Sequence, residues 1–357
     1  MKKRSRLIIL VAIVAALAVA AVLYFTLQSE PDLIVYNWYD YIDESVIDQF
    51  EEETGLKVKY VNFTTCEEMY TKMTSGGAEY DVVVPSDYII ERMIREDMLA
   101  KIDYEKAPNA KANLLTAETG AIDMWNLSYD VGNVYSVPYM WGTVGILYNP
   151  AKTGEDITSW SSIYDPKYQN DVFMLDSIRD SMGVALKYLG YSLNDHSEAA
   201  LSDAANLLIK QKNDGIVQGY MVDEVKDKMV AGEAAMAVMW SGDAMYAIDL
   251  NDTLKYVVPS EGSNVWVDAL VVPANSKHYD AAMKFIDFMC RPDIAKKNYE
   301  YIHYASPIVQ VVADLPEEEA ANPAVNPGQE VIANCEFFHD IMDYMEIYDK
   351  YWTKVRN

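Results

Sequence analysis

The chain has 357 residues, a formal net charge of −26 and 51% hydrophobic residues. This length is typical of two domains, and the hydrophobic content excludes an acidic disordered tail. A chain this negative repels nucleic acid and anionic lipid and attracts cations, so we expect no nucleic-acid partner. The cysteines Cys66, Cys290 and Cys335 have neither zinc nor CxxC spacing, which predicts core residues or free thiols.

The N-terminal segment is a run of apolar and small residues, Leu7 to Leu27, that follows a cluster of basic residues. About 20 apolar residues suffice to cross a bilayer core, and basic residues stay on the cytoplasmic side. The run is long for a cleavable signal core. We therefore predict that residues 1–31 form an uncleaved signal-anchor helix and linker, with the rest of the chain on the extracytoplasmic side. A signal peptide cleaved near Ala20 or Ala21 is the alternative.

The first strand, turn and helix of the exported chain set a pattern. Residues 33–36 are predicted to form a buried strand, which is followed by a turn that carries Trp38, Asp40 and Tyr41. Asp43 is placed to cap the helix that comes next. An aromatic face beside a carboxylate suits an organic cation. An ordinary turn with core aromatics is the alternative.

Two more strands, at residues 56–63 and 80–84, continue this alternation. Thr65 and Glu68 form a capping box for the helix between them, and the second strand leads into a polar turn at residues 86–88. This order predicts an α/β lobe with a doubly wound parallel sheet. Ligands of such sheets bind beyond the carboxyl ends of the strands, where these turns lie.

The second part of the chain has further strands that end beside acidic residues. Strands or extended segments are predicted at residues 135–148, 172–175, 234–240, 254–258 and 265–272. Asp180 and Asp243 follow two of these strands, and Asp268 interrupts the last apolar run. A buried acid in such a run needs a partner, for which a ligand ammonium is a good candidate. Residues 336–354 are predicted to form a terminal helix.

The sequence carries no signature of catalysis or of a cofactor site. Its four histidines lie in no recognisable motif, and no G-x-S-x-G, P-loop or G-x-G-x-x-G pattern occurs. We therefore expect a binding protein, without cofactor or metal, rather than an enzyme. Two alternatives stay open. One is an exported ferric-ion carrier that uses Tyr299, Tyr301 and Tyr304 as tyrosinate ligands, and the other is an exported carbohydrate-active enzyme with paired carboxylates.

Six motifs resemble the spermidine/putrescine-binding proteins of bacterial ABC importers. They are YNWYDY at residues 36–41, YDVVVPS at 80–86, YSVPYMWG at 135–142, WSG at 240–242, WVD at 266–268 and RPDIA at 291–295. The likeness runs in order from about Leu33 to the C-terminus. It implies a two-lobed α/β fold of the type II periplasmic-binding-protein class, with the ligand in a cleft between the lobes. The implied lobes are residues 32–139 with 268–313, and residues 140–267 with 314–357.

The resemblance also implies a function and a set of ligand contacts. The chain is expected to act as a monomer that captures spermidine or putrescine and delivers it to an ABC permease. The matching contact positions are Trp38, Asp40, Tyr41, Ser86, Tyr88, Asp180, Trp240, Trp266, Asp268 and Tyr304. Asp87 and Asp243 rank second because both can cap helices, and core packing is the alternative for Trp240 and Trp266. A family acid falls on Ser177 and a family glutamine on Phe338, which leaves the choice between the two polyamines open.

Overall fold

The protein is represented by a computed structural model that describes residues 30–76 and 79–357. Within these residues, nine strands form one mixed sheet. The strands are β1 (Leu33–Trp38), β2 (Val58–Phe63), β3 (Val82–Val83), β4 (Ser136–Tyr148), β5 (Val172–Leu175), β6 (Val217–Met221), β7 (Met236–Trp240), β8 (Lys255–Val257) and β9 (Val265–Val271). The strand order is β2-β1-β3-β9-β4-β7-β5-β6, and β8 pairs with β4 outside this path.

The sheet is parallel at both flanks and antiparallel in the middle. Strand β1 runs parallel to β2 and β3, and β5 runs parallel to β6 and β7, which confirms the predicted strand–turn–helix alternation. In contrast, β4 runs antiparallel to β9 and β7, and β3 runs antiparallel to β9. The parallel sheet predicted for the first lobe is thus found between β1, β2 and β3, and β9 adds an antiparallel strand to it. The chain enters and leaves the second half of the sheet along β4 and β9, and strands that return this way need no crossover helix.

Strand β4 joins the two halves of the sheet. All of its 13 residues are buried. Residues 136–143 pair with β9, and residues 144–148 pair with β7 and β8. This confirms the predicted extended segment. The pairing shifts between Pro138 and Met140, as expected where a proline has no N–H to give to the ladder. The lobe boundaries themselves stay a prediction.

Helices surround the sheet. They are α1 (Glu44–Thr54), α2 (Cys66–Thr74), α3 (Asp87–Arg95), α4 (Pro108–Asn113), α5 (Pro150–Thr153), α6 (Ile178–Tyr188), α7 (Glu198–Asn213), α8 (Glu224–Val230), α9 (Ser241–Leu250), α10 (Tyr279–Met289), α11 (Pro292–Ile302), α12 (Val309–Ala313), α13 (Glu317–Ala320), α14 (Gln329–Ile332) and α15 (Met345–Arg356). Short 3-10 helices span Trp160–Tyr164, Pro166–Tyr168 and Met342–Tyr344.

The two predicted helix caps, Asp43 and Thr65, lie where the chain leaves β1 and β2. The Asp43 carboxylate accepts a hydrogen bond from the Ser45 amide at 2.9 Å, and the Thr65 hydroxyl accepts one from the Glu68 amide at 3.1 Å. Gly55 ends α1 with a φ of 73°, a conformation that favours glycine. These local signals therefore fix where the chain leaves β1 and β2.

The C-terminal helix begins later than predicted, at Met345 rather than Glu336. The backbone of Glu336 bonds to the Ser263 carbonyl at 2.9 Å and to the Val265 amide at 3.0 Å. These bonds attach residue 336 to the start of β9. Because its N–H and C=O groups are already paired there, residue 336 cannot begin a helix, and the prediction was wrong for residues 336–341, which precede the 3-10 helix Met342–Tyr344.

The predicted membrane anchor and the predicted free cysteines have different outcomes. No helix within residues 30–76 and 79–357 combines the length and the apolar character needed to cross a membrane. The predicted signal anchor, Leu7 to Leu27, lies outside these residues. Cys66 and Cys290 are buried and Cys335 is half-buried, and all three are free thiols, as the cysteine spacing predicts.

Candidate functional site

The site is built around Asp268, which lies in β9 and is only 6% exposed. Its Oδ2 accepts a hydrogen bond from the Tyr41 hydroxyl at 2.9 Å, and its Oδ1 accepts one from the Ser86 hydroxyl at 2.6 Å. Burial raises the pKa of Asp268 to about 6, and these two hydrogen bonds oppose the rise. No lysine or arginine of the described residues forms an ion pair with it. The carboxylate is thus buried with two neutral donors and no cation of its own.

Aromatic rings stand beside this carboxylate. Trp266 precedes Asp268 by two residues in β9, so both side chains point to the same face of the sheet. The ring of Tyr304 meets Trp266 edge-on at 5.0 Å between centroids and meets Tyr41 in the same manner at 5.9 Å. Together with Ser86, these residues make five of the predicted contact residues that the structure brings together, and they join an aromatic surface to a negative charge.

Two glycines allow the aromatic rings to approach the backbone. A Cβ atom at Gly242 would lie 2.3 Å from the Tyr304 ring, and one at Gly142 would lie 2.6 Å from the Trp266 ring. Neither distance is compatible with a side chain. The glycine of the Trp240-Ser241-Gly242 motif is therefore explained by packing: it lets α9 contact the ring of Tyr304 directly.

A second buried acid, Asp180, lies in the first turn of α6 and is 7% exposed. The Ser177 hydroxyl donates to its Oδ2 at 2.6 Å and also caps the helix. Burial raises the pKa of Asp180, whereas the Ser177 hydroxyl, the Arg179 charge and the Trp240 indole lower it. Asp180 and Trp240 thus belong to one neighbourhood on the other half of the sheet.

The two acids of second rank differ from each other. Asp87 is fully buried; its Oδ1 accepts from the Tyr88 amide at 2.7 Å, and its Oδ2 has no partner among the described residues. Burial raises its pKa well above the usual range. Asp243 forms an ion pair with Lys226 at 3.2 Å, and burial raises its pKa against the effect of this lysine. The charge of Asp243 is therefore paired with a lysine of the chain, whereas Asp87 forms no ion pair among the described residues.

The remaining predicted residues lie further out. Asp40 is exposed, has a φ of 55°, and accepts a hydrogen bond from the Tyr301 hydroxyl at 2.6 Å. Trp38 packs against Phe63 at 4.6 Å between centroids, and its buried indole nitrogen has no partner in the described structure. The structure therefore groups Asp268 with its aromatic neighbours but leaves Asp40 on the exposed turn, where a ligand role stays a prediction.

The tyrosines proposed for a ferric site do not behave as a ligand set. The Tyr299 hydroxyl donates to Glu319 and the Tyr301 hydroxyl donates to Asp40, both at 2.6 Å. Burial raises the pKa of Tyr299, and the hydrogen bond to Asp40 raises that of Tyr301 to about 12. Because the two hydroxyls are bonded to carboxylates in different segments of the chain, this arrangement gives the ferric alternative no support.

Ion pairs connect α3 to the C-terminal segment, a contact that the sequence did not reveal. The side chain of Asp340 is 2% exposed, with its Oδ2 at 2.7 Å from Arg95 Nη2 and its Oδ1 at 3.6 Å from Arg92 Nη1. The Asp340 amide donates to Glu91 at 2.7 Å. We call these four residues the Asp340 cluster. Because α3 begins directly after Ser86, the Asp340 cluster connects the segment that carries Ser86 to the C-terminal segment of the chain.

Residues 45–327 match the family model described as bacterial extracellular solute-binding protein. The chain belongs to this family. It is 34% identical, over 326 residues and 91% of each chain, to the spermidine/putrescine-binding periplasmic protein of Escherichia coli. The resemblance drawn from the six motifs is thereby confirmed.

Solved structures agree with this family assignment. A chain from Listeria monocytogenes matches with a TM-score of 0.81 and 38% identity, covering 91% of this chain and 98% of that one. The spermidine/putrescine ABC transporter substrate-binding protein of Streptococcus pneumoniae matches with a TM-score of 0.79 and 35% identity, over 90% and 99% of the two chains. The α/β periplasmic-binding-protein-like fold is therefore confirmed.

Proposed function

We propose that this chain is an extracytoplasmic substrate-binding protein that captures a polyamine, spermidine or putrescine, and delivers it to an ABC permease. The observation that carries the proposal is the state of Asp268, which is buried, hydrogen-bonded only to neutral hydroxyls and flanked by Trp266 and Tyr304. A buried carboxylate without a cation is costly. A ligand ammonium would supply the missing charge.

The aromatic rings suit the rest of such a ligand. A polyamine alternates ammonium groups with methylenes, and the faces of Trp266 and Tyr304 can cover methylenes and attract a cation by about 0.5–2 kcal/mol each. Asp180, on the other half of the sheet, offers a second buried carboxylate for the ammonium at the other end. A sugar has no positive charge to pair with these two buried carboxylates, and a ferric ion has no methylenes for the rings to cover.

The proposal extends to the membrane. The apolar run Leu7 to Leu27 after a basic cluster supports retention of the leader as a single anchor, with the binding part outside the cytoplasm. The names of the relatives, which describe periplasmic binding proteins, support the same side of the membrane. A monomer held there can hand its ligand to a permease in the same bilayer.

Calorimetric titration of the full chain in detergent tests whether the ligand is a polyamine. We expect saturable binding of putrescine or spermidine, and a ligand at 100 times its dissociation constant should add about 2.7 kcal/mol to the stability. Ferric citrate and an oligosaccharide serve as controls. A melting temperature that rises with either control, and with neither amine, would rule for the carrier or the carbohydrate-active enzyme.

A further inference from the structure

Strand β4 is irregular directly beside the buried carboxylate of the site. Pro138 lies opposite Ala269 of β9. Met140 lies opposite Asp268, so Tyr139 between the two is left without a partner in the ladder. An extra residue of this kind bends a strand and re-aims a side chain, and such bulges are common next to binding sites. The pairing therefore gives Tyr139 a position that a regular strand would not give it.

The side chain of Tyr139 reaches the turn after β1, although β3 and β9 lie between β1 and β4. Its hydroxyl donates to the Tyr41 carbonyl at 2.8 Å, and the two rings meet edge-on at 5.7 Å between centroids. Tyr139 is buried, and burial raises its pKa well above the usual range, so the hydroxyl keeps the proton that it donates. The Asn37 side chain donates to the same carbonyl at 3.1 Å. The backbone of Tyr41 is thus held from two strands.

Tyr41, which is held in this way, is also a direct partner of the buried carboxylate. Its hydroxyl donates to Asp268 at 2.9 Å. Burial raises the pKa of Asp268 to about 6, and the hydroxyls of Ser86 and Tyr41 oppose the rise because they stabilise the ionised form. The Tyr41 ring also meets Tyr304, which packs against Trp266. A shift of Tyr41 would therefore change both the charge of the carboxyl and the aromatic surface beside it.

We infer that Tyr139 is a positioning residue of the binding site, which acts on the ligand through Tyr41 rather than through a contact of its own. This inference rests on the proposed function and adds a residue to the same site. The Tyr139 hydroxyl fixes the Tyr41 carbonyl, so the Tyr41 hydroxyl stays on Asp268 and the carboxylate stays ionised for a ligand ammonium. Without the Tyr139 hydroxyl, Tyr41 is held by Asn37 alone and makes its hydrogen bond to Asp268 for a smaller fraction of the time.

The test measures the binding of putrescine and spermidine as a function of pH, by calorimetry on the full chain in detergent. Tyr139→Phe keeps the ring and removes the hydroxyl, and the loss of one hydrogen bond should weaken binding about two- to tenfold near neutral pH. A weaker hydrogen bond from Tyr41 raises the pKa of Asp268, so affinity should begin to fall at a higher pH than in wild type as the solution is acidified. A purely structural defect would weaken binding by the same factor at every pH. Other titratable groups within electrostatic reach of Asp268 are common to wild type and variant, namely Asp87, Cys66, Tyr129 and Tyr304.

Two further variants separate this effect from a general loss of packing. Tyr104→Phe is the matched control, because it removes a half-buried hydroxyl that donates to the Asn133 carbonyl at 2.9 Å, and it should leave the pH profile unchanged. Tyr41→Phe removes the hydroxyl on Asp268 itself, so it should shift the profile in the same direction as Tyr139→Phe. In the double variant, Tyr139→Phe should add no further shift, because the hydrogen bond through which it acts is already absent.

The outcomes distinguish this inference from the proposed function. A folded Tyr139→Phe variant with the wild-type pH profile would overturn the inference alone, and so would a full additional shift in the double variant. If Tyr139→Phe does not fold, Tyr41→Phe still tests the link, because an unchanged profile in that variant would show that the Tyr41 hydroxyl does not control Asp268. Failure of wild type to bind either polyamine would instead overturn the proposed function and this inference with it.

Discussion

Replacing Asp268 by asparagine separates its charge from its shape. Asparagine fills nearly the same volume. Its Oδ1 can still accept from one of the two hydroxyls, of Tyr41 or Ser86, while the other hydroxyl rotates to accept from its Nδ2. The variant removes the charge that a ligand ammonium would use. Loss of one partner of a buried charge pair typically costs 2–5 kcal/mol, so polyamine affinity should fall about 30-fold to several-thousand-fold.

The same substitution should stabilise the protein without ligand. The pKa of Asp268 rises from its ordinary value of 3.8 to about 6 in the fold, which corresponds to a cost of about 3 kcal/mol when the carboxyl is ionised. Between these two pH values the native state binds more protons than the unfolded state, so stability falls as pH rises through this window. Asp268→Asn should therefore gain up to about 3 kcal/mol above pH 6 and nothing near pH 3.

Two assays on Asp268→Asn distinguish a role in ligand binding from a role in stability. Calorimetry gives the polyamine dissociation constant, and melting of the ligand-free protein at pH 4 to 8 gives the stability difference. Asp280→Asn serves as control, because Asp280 is an exposed partner of Lys106 and should change neither quantity by much. An unchanged polyamine affinity would refute the role of Asp268 in binding. A large loss of stability without ligand would show that the carboxylate holds the fold together instead.

Three further predictions concern packing, the Asp340 cluster and the leader. Gly242→Ala places a Cβ 2.3 Å from the Tyr304 ring, so it should cost about 1–3 kcal/mol in a melting experiment and weaken polyamine binding; unchanged affinity would show that Tyr304 is not a contact. Asp340→Asn leaves Arg95 without its buried partner, so we expect a loss of about 1–3 kcal/mol and faster polyamine release in stopped flow, and wild-type release would contradict the link to the site. Carbonate-washed membranes should retain the full chain with residues 7–27 at its N-terminus, and a soluble form that begins near Ala21 would show cleavage instead.

The local features of the site could be predicted from the sequence, but the way in which the fold brings them together could not. Alternation in β9 already places Trp266 and Asp268 on one face, because residues two apart in a strand share a side. The donors to Asp268, however, are 182 and 227 residues away in the chain. Only the pairing order of the strands brings Tyr41 and Ser86 to it, and no local pattern encodes that order.

The failures have equally specific causes. Strand β6 has a glycine in its middle and is too short for a clear alternation, so no local pattern indicated this strand. Residues 336–341 are rich in apolar side chains, but their backbone groups bond to β9 and to Asn194. The aromatic rings around the Arg179 guanidinium come from Tyr88, Phe338 and Tyr348, which are far apart in the chain, so no local pattern reveals this contact. For residues 336–341 and for Arg179 the decisive contacts are distant in sequence, whereas β6 lacks a clear local signal.

The continuity of β4 limits how the two halves of the molecule can move. A flexible linker would let them turn freely, but β4 passes from one half to the other with its backbone paired on the way. Any rotation between the halves must therefore twist hydrogen-bonded strands, and the pairing of β4 resists that rotation. Gly142 of β4 lies opposite Trp266 in this pairing. Because Trp266 is a proposed ligand contact, a polyamine bound there would lie next to the paired strands that a rotation of the halves has to twist.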